Sequence, residues 1–162
     1  MIFLTVGTQE PFDRLVQAVD RWAAESGDSA IFGQISDRGL YRPRNFEWAA
    51  HLDIQQYRSV CEQASLLVAH AGMGSIITAL DYAKPIVIMP RRSHLGEHRN
   101  DHQYATARQF RGKPGIHVAN DENALAAEIA KARRDNAVAA GRPHSPYAQE
   151  RLVRFLCDYF ND

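Results

Sequence analysis

The chain has 162 residues, 45% hydrophobic and 23% charged, with 19 Lys and Arg against 19 Asp and Glu. That describes one globular domain with a real core, and a net charge of +0 leaves no global basic field to draw nucleic acid or anionic lipid. Cys61 and Cys157 lie far apart without metal-type spacing, no apolar run approaches the roughly 20 residues that span a bilayer, and residues 2–6 are too short for a signal core, so a reducing, cytoplasmic setting is expected.

Residues 1–6 (MIFLTV) read as a buried strand. Gly7, Thr8 and Gln9 form a turn, and Pro11 suits a first helical position. Phe12, Leu15, Val16, Val19, Trp22 and Ala23 recur at helical spacing up to a stop at Gly27. Residues 30–35 read as a second strand. Residues 36–45 read as a surface loop whose Arg38, Arg42 and Arg44 are either solvated charge or a clamp on an anionic substrate or partner. A third strand covers residues 46–50. Asp53 caps the next helix with Gln56 as its capping-box partner, and Ile54, Tyr57, Cys61 and Ala64 share one packing face.

Residues 66–69 are apolar throughout, as in a strand covered on both sides. Ala71, Gly72, Met73 and Gly74 make a tight turn, Ser75 opens a helix over residues 76–83, and Lys84 with Pro85 ends it. Residues 86–89 are the next buried strand. A polar segment follows, helical from about Glu97, with Tyr104, Ala107 and Phe110 inward. Residues 115–119 read as a strand. Residues 121–134 read as a helix with Leu125, Ile129 and Ala132 inward and Lys and Arg at its carboxyl end, where the dipole favours them. Residues 136–146, with a glycine and two prolines, form a linker to a last helix over 147–160.

This order predicts an α/β fold, a Rossmann-like parallel sheet with helices on both faces, in a single domain over 1–162. Its two strand-to-helix glycine turns, at Gly7 and at Gly72–Gly74, fall on the same edge of such a sheet. Free N–H groups and the helix dipole there favour an anionic group such as a phosphate, though a glycine turn also serves plain tight packing. His94, His98 and His102 are spaced by four, as zinc-binding pairs on a helix are, and a metal-dependent hydrolase is the rival reading. Gly96 places His94 ahead of the helix, and the outer two would lie about 12 Å apart along it, so no metal is expected. Solvated histidines and polar groups addressing a substrate are the other readings of the segment.

The ordered pieces Val6-Gly7-Thr8-Gln9, His70-Ala71-Gly72-Met73-Gly74-Ser75, Lys84-Pro85-Ile86-Val87 and Asn100-Asp101-His102-Gln103 resemble the C-terminal, donor-binding half of two-domain GT-B glycosyltransferases of family 28. Within that family the likeness is to the small soluble subunits of split two-component enzymes, of the bacterial exopolysaccharide type or of the type that extends the dolichol-linked N-glycan precursor. The resemblance implies a UDP-sugar as substrate. By it, Gly7, Thr8, Gln9, Gly72, Met73, Gly74 and Ser75 face the donor diphosphate. Thr78, Glu97, Asn100, Asp101, His102 and Gln103 address the donor sugar or ribose, with Gln103 matching the family's sugar-binding glutamine. The uracil lies near residues 49–54. Many relatives carry a ribose-binding glutamate where this chain has Thr78, with Asp81 one turn further on.

Arg91 and Arg92 are candidates to stabilise the departing diphosphate, and His70 and His98 are candidate bases. Full-length relatives also carry an acceptor-binding domain. The resemblance therefore implies a membrane-associated acceptor-binding subunit and a lipid-linked saccharide acceptor, with this chain held at the inner face of the membrane by its partner. Alone, it could form a homo-oligomer through the surface the partner covers. The competing reading is a non-catalytic module that binds nucleotide or a partner for regulation.

Overall fold

The computed structural model describes residues 1–139. Among the described residues, six parallel strands and five α-helices follow in the order β1 (Ile2–Thr5), α1 (Asp13–Ser26), β2 (Ile31–Gln34), β3 (Glu47–Ala49), α2 (Ile54–Gln63), β4 (Leu66–His70), α3 (Met73–Asp81), β5 (Ile86–Met89), α4 (His102–Phe110), β6 (Ile116–Val118) and α5 (Leu125–Ala139), with a loop and no helix between β2 and β3. The sheet order is β3-β2-β1-β4-β5-β6. Ile2 lies in register with Ile31 on one side and Leu66 on the other. The strand order therefore reverses between β1 and β4, and their carboxyl ends open a crevice.

The unbroken apolar strands follow from burial on both faces. Ile2, Leu4, Val68, Val87 and Met89 point to one side, where Leu15, Val16 and Val19 of α1 and Leu125, Ile129 and Ala132 of α5 cover them. Phe3, Leu67, Ala69, Ile86 and Ile88 point to the other, against Cys61 of α2, Ile76 and Ala79 of α3, and Ala107 and Phe110 of α4.

Several boundaries differ from the expectation. Helix α1 starts at Asp13, with Phe12 rather than Pro11 at its threshold, because the buried Phe12 ring anchors the chain and its carbonyl receives the N–H groups of Leu15 and Val16. The Asp53–Gln56 capping box is present in both directions, at 2.8 and 3.0 Å. Ile54, expected to pack, is 74% exposed. Helix α3 starts at Met73, not Ser75: the Gly72 N–H bonds the His70 carbonyl at 2.8 Å, closing the turn in two residues, and Gly74 falls inside the first helical turn. The same helix stops at Asp81, ahead of Pro85, through a left-handed Ala83 (φ 51°).

The segment from Glu97 is not helical until His102. Ser93–Leu95 forms a 3-10 turn, Gly96 is left-handed (φ 70°), and Glu97 is taken by Arg14 and by the Arg92 N–H. Tyr104 is 45% exposed, while Gln103, Thr106, Ala107 and Phe110 form the buried face of α4. Helix α5 begins after an Asp121-capped turn and continues past Asn136 to Ala139, so the linker does not start at 136. Lys131 and Arg133 consequently sit within the helix rather than at its end, pairing with Glu128 and Asp28. The rest of the linker and the helix over 147–160 lie outside the described residues.

Candidate functional site

A cleft of about 610 Å³ occupies the crevice where the strand order reverses. One wall is the turn between β1 and α1, with Gly7, Thr8, Gln9 and Glu10. The facing wall is the start of α3, with Gly74, Ser75 and Thr78. Leu52, Asp53, Ile54, Tyr57 and Arg58 close one end, and Arg91, His98 and Gln103 the other. A Cβ at Gly74 would meet nothing within 4 Å, and α3 has no side-chain cap. The first N–H groups of α3 are thus approachable by a bulky anion.

The other two glycines have a different reason. A Cβ at Gly7 would lie 2.9 Å from Cε1 of His70, and one at Gly72 would lie 2.3 Å from its Nε2. The imidazole is clasped between the two turns, and Gly7 is also left-handed (φ 80°). Burial, reinforced by the nearby Arg91 charge, pushes the His70 pKa down to about 4. The ring is neutral at pH 7, although a hydrogen bond with the Thr5 main chain works against the shift. Such an imidazole is a poor general base near neutrality. His98 packs edge-on against His102, centroids 4.6 Å apart. Burial first, then His102 and Arg91, depress its pKa as well.

Of the residues singled out in the sequence, Gly7, Thr8, Gln9, Gly74, Ser75, Thr78, Gln103, His70, His98 and Arg91 meet at this cleft. The others do not. Gly72, Met73 and His102 line a separate hollow of about 360 Å³ between α3 and α4. The Glu97 carboxylate is held by Arg14 Nε and Nη2 at 2.6 and 2.8 Å. Asn100 pairs with the His102 ring, and Asp101 accepts the Ser93 N–H at 2.8 Å, so both serve the local turn. Arg92 points to the far side, donating to the Asn120 carbonyl at 3.0 Å. Arg91 remains in the cleft wall but spends its guanidinium on main-chain carbonyls. Among the described residues no three His, Cys, Asp or Glu side chains are grouped to hold a metal ion.

Sequence reading missed the floor. Thr5 donates to Gln34 Oε1 at 2.8 Å and receives the Gly7 N–H at 3.2 Å, so two buried polar side chains at strand ends shape the turn. A polar residue closing an apolar strand, as Thr5 and Gln34 both do, was the available signal. Tyr57 has the spacing of a packing residue and also belongs to the site. It lines the cleft, and burial raises its pKa while a hydrogen bond to Thr78 works against the rise.

Comparison with known proteins agrees with this architecture. The model for the glycosyltransferase family 28 C-terminal domain matches residues 1–150. The chain is 31% identical over 118 residues to the mouse UDP-N-acetylglucosamine transferase subunit ALG13, covering 67% of this chain and 10% of that protein. It therefore spans about a tenth of the length of this curated relative. Among solved structures, the glycosyltransferase of kitacinnamycin superposes with a TM-score of 0.64 at 23% identity, over 86% of this chain and 36% of that one. The solution structure of ALG13 gives 0.59 at 18% identity, over 83% and 86%. At these identities the structural likeness speaks for the fold, that of GT-B glycosyltransferases. The matched model spans nearly the whole sequence, including both glycine turns and the segment leading to Gln103, and the chain belongs to the glycosyltransferase family 28 C-terminal domain family.

Proposed function

We propose that this chain is the donor-binding subunit of a two-component glycosyltransferase that transfers a sugar from a UDP-sugar. The observation that carries the reading is Gly74: an open glycine in the first turn of an uncapped helix, facing a cleft at the point where the strand order reverses. The diphosphate lies against the N–H groups at the start of α3, with Thr8 and Gln9 opposite. The uracil lies toward Leu52–Ile54, the ribose near Thr78, and the sugar toward Gln103. Fixed N–H dipoles at that position stabilise the charge that develops on the leaving diphosphate. No metal ion is part of the reading.

The acceptor hydroxyl must lose a proton, and a neutral His70 with a pKa of about 4 is badly matched to take it. The base is assigned to a partner subunit that binds the acceptor. We place that partner at the membrane, holding a lipid-linked saccharide in cell-surface polysaccharide assembly, with this chain at the cytoplasmic face. No helix among the described residues is long and apolar enough to cross a membrane.

Calorimetric titration with UDP, GDP and a panel of UDP-sugars tests the reading. The expected outcome is UDP binding at up to millimolar affinity, strengthened by one sugar and lost in Gly74→Val, where the side chain blocks the helix start. Equal UDP binding by wild type and Gly74→Val overturns this placement of the diphosphate.

A further inference from the structure

Arg91 has the largest of the fully buried side chains, 2% exposed, and the charges of Glu97 and Glu10 only partly offset the cost of burying it. Its guanidinium donates only to main-chain carbonyls: Val6 at 2.8 Å, Glu10 at 2.7 Å, Pro11, and Glu97 at 3.4 Å. Three of these four belong to the turn between β1 and α1, and the Phe12 ring lies beneath the guanidinium, 4.8 Å from its centroid. That turn has no helix cap of its own. On the other side, the Arg91 main-chain N–H donates to Gln103 Oε1 at 3.2 Å. With its oxygen engaged, the buried Gln103 amide has its NH2 group left for the cleft it lines.

We propose that Arg91 is a positioning residue that holds the two walls of the cleft in register, fixing the Thr8–Gln9 turn through its guanidinium and turning the Gln103 NH2 group toward the ligand through its main-chain N–H. This role differs from direct contact with the diphosphate, because both terminal nitrogens of the guanidinium already donate to main-chain carbonyls. It rests on reading the cleft as a nucleotide-sugar site. A rigid planar fork suits three diverging carbonyls, whereas a lysine ammonium carries the same charge on one point and cannot span them.

The test uses the full chain, amide-resolved NMR, and titration with UDP and UDP-N-acetylglucosamine. Arg91→Lys keeps the charge and is expected to weaken UDP binding about tenfold or more, as loss of a bidentate arginine site does. The amide signals of Gly7, Thr8, Gln9 and Glu10 should shift in the same variant. Gln103→Glu leaves an oxygen for the Arg91 N–H and removes the cleft-facing donor. It should lower the affinity for UDP-N-acetylglucosamine by a larger factor than that for UDP.

Wild-type affinity in Arg91→Lys with unmoved turn amides overturns the proposal and returns Arg91 to a simple charge. If the wild-type chain binds neither ligand, the reading of the cleft fails, and the turn amides of Arg91→Lys still decide the role of Arg91. Should Arg91→Lys not fold, the Gln103 NH2 resonances of the wild type decide. Silence there while the turn amides respond to UDP-N-acetylglucosamine overturns the assignment.

Discussion

The two strand-to-helix turns at the cleft look alike as sequence and are built differently. The turn after β4 closes in two residues, its glycine N–H bonded back to His70, and leads straight into an uncapped helix. The turn after β1 wanders from Val6 to Phe12 and is tied down from outside by Arg91, and at Gln9 by Arg38. The first exposes helix N–H groups by being short. The second supplies a wall whose shape is imposed by a side chain from another strand end. His70 lies between them, and each turn contributes a glycine to make room for it. A glycine in such a turn is thus no single signal: two of the three accept a ring and one accepts open space.

His70 offers the largest test of that clasp. Its folded-state pKa of about 4 lies below the ordinary value near 6.5, so the unfolded chain takes up a proton first as the pH falls. The contribution is fully present above about pH 6.5 and is lost between there and about pH 4, by up to about 3 kcal/mol. Chemical denaturation at a series of pH values should show this slope, and His70→Asn should flatten it. An unchanged slope would mean the ring is not held between the turns.

Gly72→Ala comes next. The new methyl must displace the ring, which should lower stability by about 2 kcal/mol, in the range of core overpacking. In a His70→Ala background the same Gly72→Ala change should cost little, since the obstacle is removed. Gly74→Ala has the smallest effect and the opposite sign. It places a better helix former at a helical position with free space, raising stability by about 0.5–1 kcal/mol in thermal unfolding. UDP affinity should nevertheless fall. If Gly74→Ala and Gly72→Ala behave alike in both measurements, the distinction between the two glycines is wrong.

What could be read in the chain beforehand follows a physical line. Strands buried on both sides announce themselves as apolar runs, and local devices such as the Asp53–Gln56 capping box lie within four residues, so both were legible. The clasp around His70 was not, because Gly7 and Gly72 are far apart in sequence and meet only when β1 pairs with β4. Glu97 illustrates the same limit. Nothing near it in sequence forbids a helix, but Arg14, far away in α1, claims its carboxylate and holds the segment open until His102. Ile54 has the spacing of a packing residue but stands at the cleft rim, where the first turn of α2 emerges beyond the sheet. Polar segments at strand ends are shaped by tertiary partners, and most of the candidate site is made of them.

The pairing of β1 with β4 has a consequence for how the chain is made. β1 can close on β2 as soon as α1 has formed, since that unit is contiguous. Its other edge stays open until β3, α2 and β4 have been synthesised, an interval on the order of seconds at about 5–20 residues per second. During that time Ile2, Phe3 and Leu4 present one side of an apolar strand with nothing beside it, the kind of edge that recruits foreign chains. A strand at the centre of the finished sheet is therefore an open edge while the chain is being made.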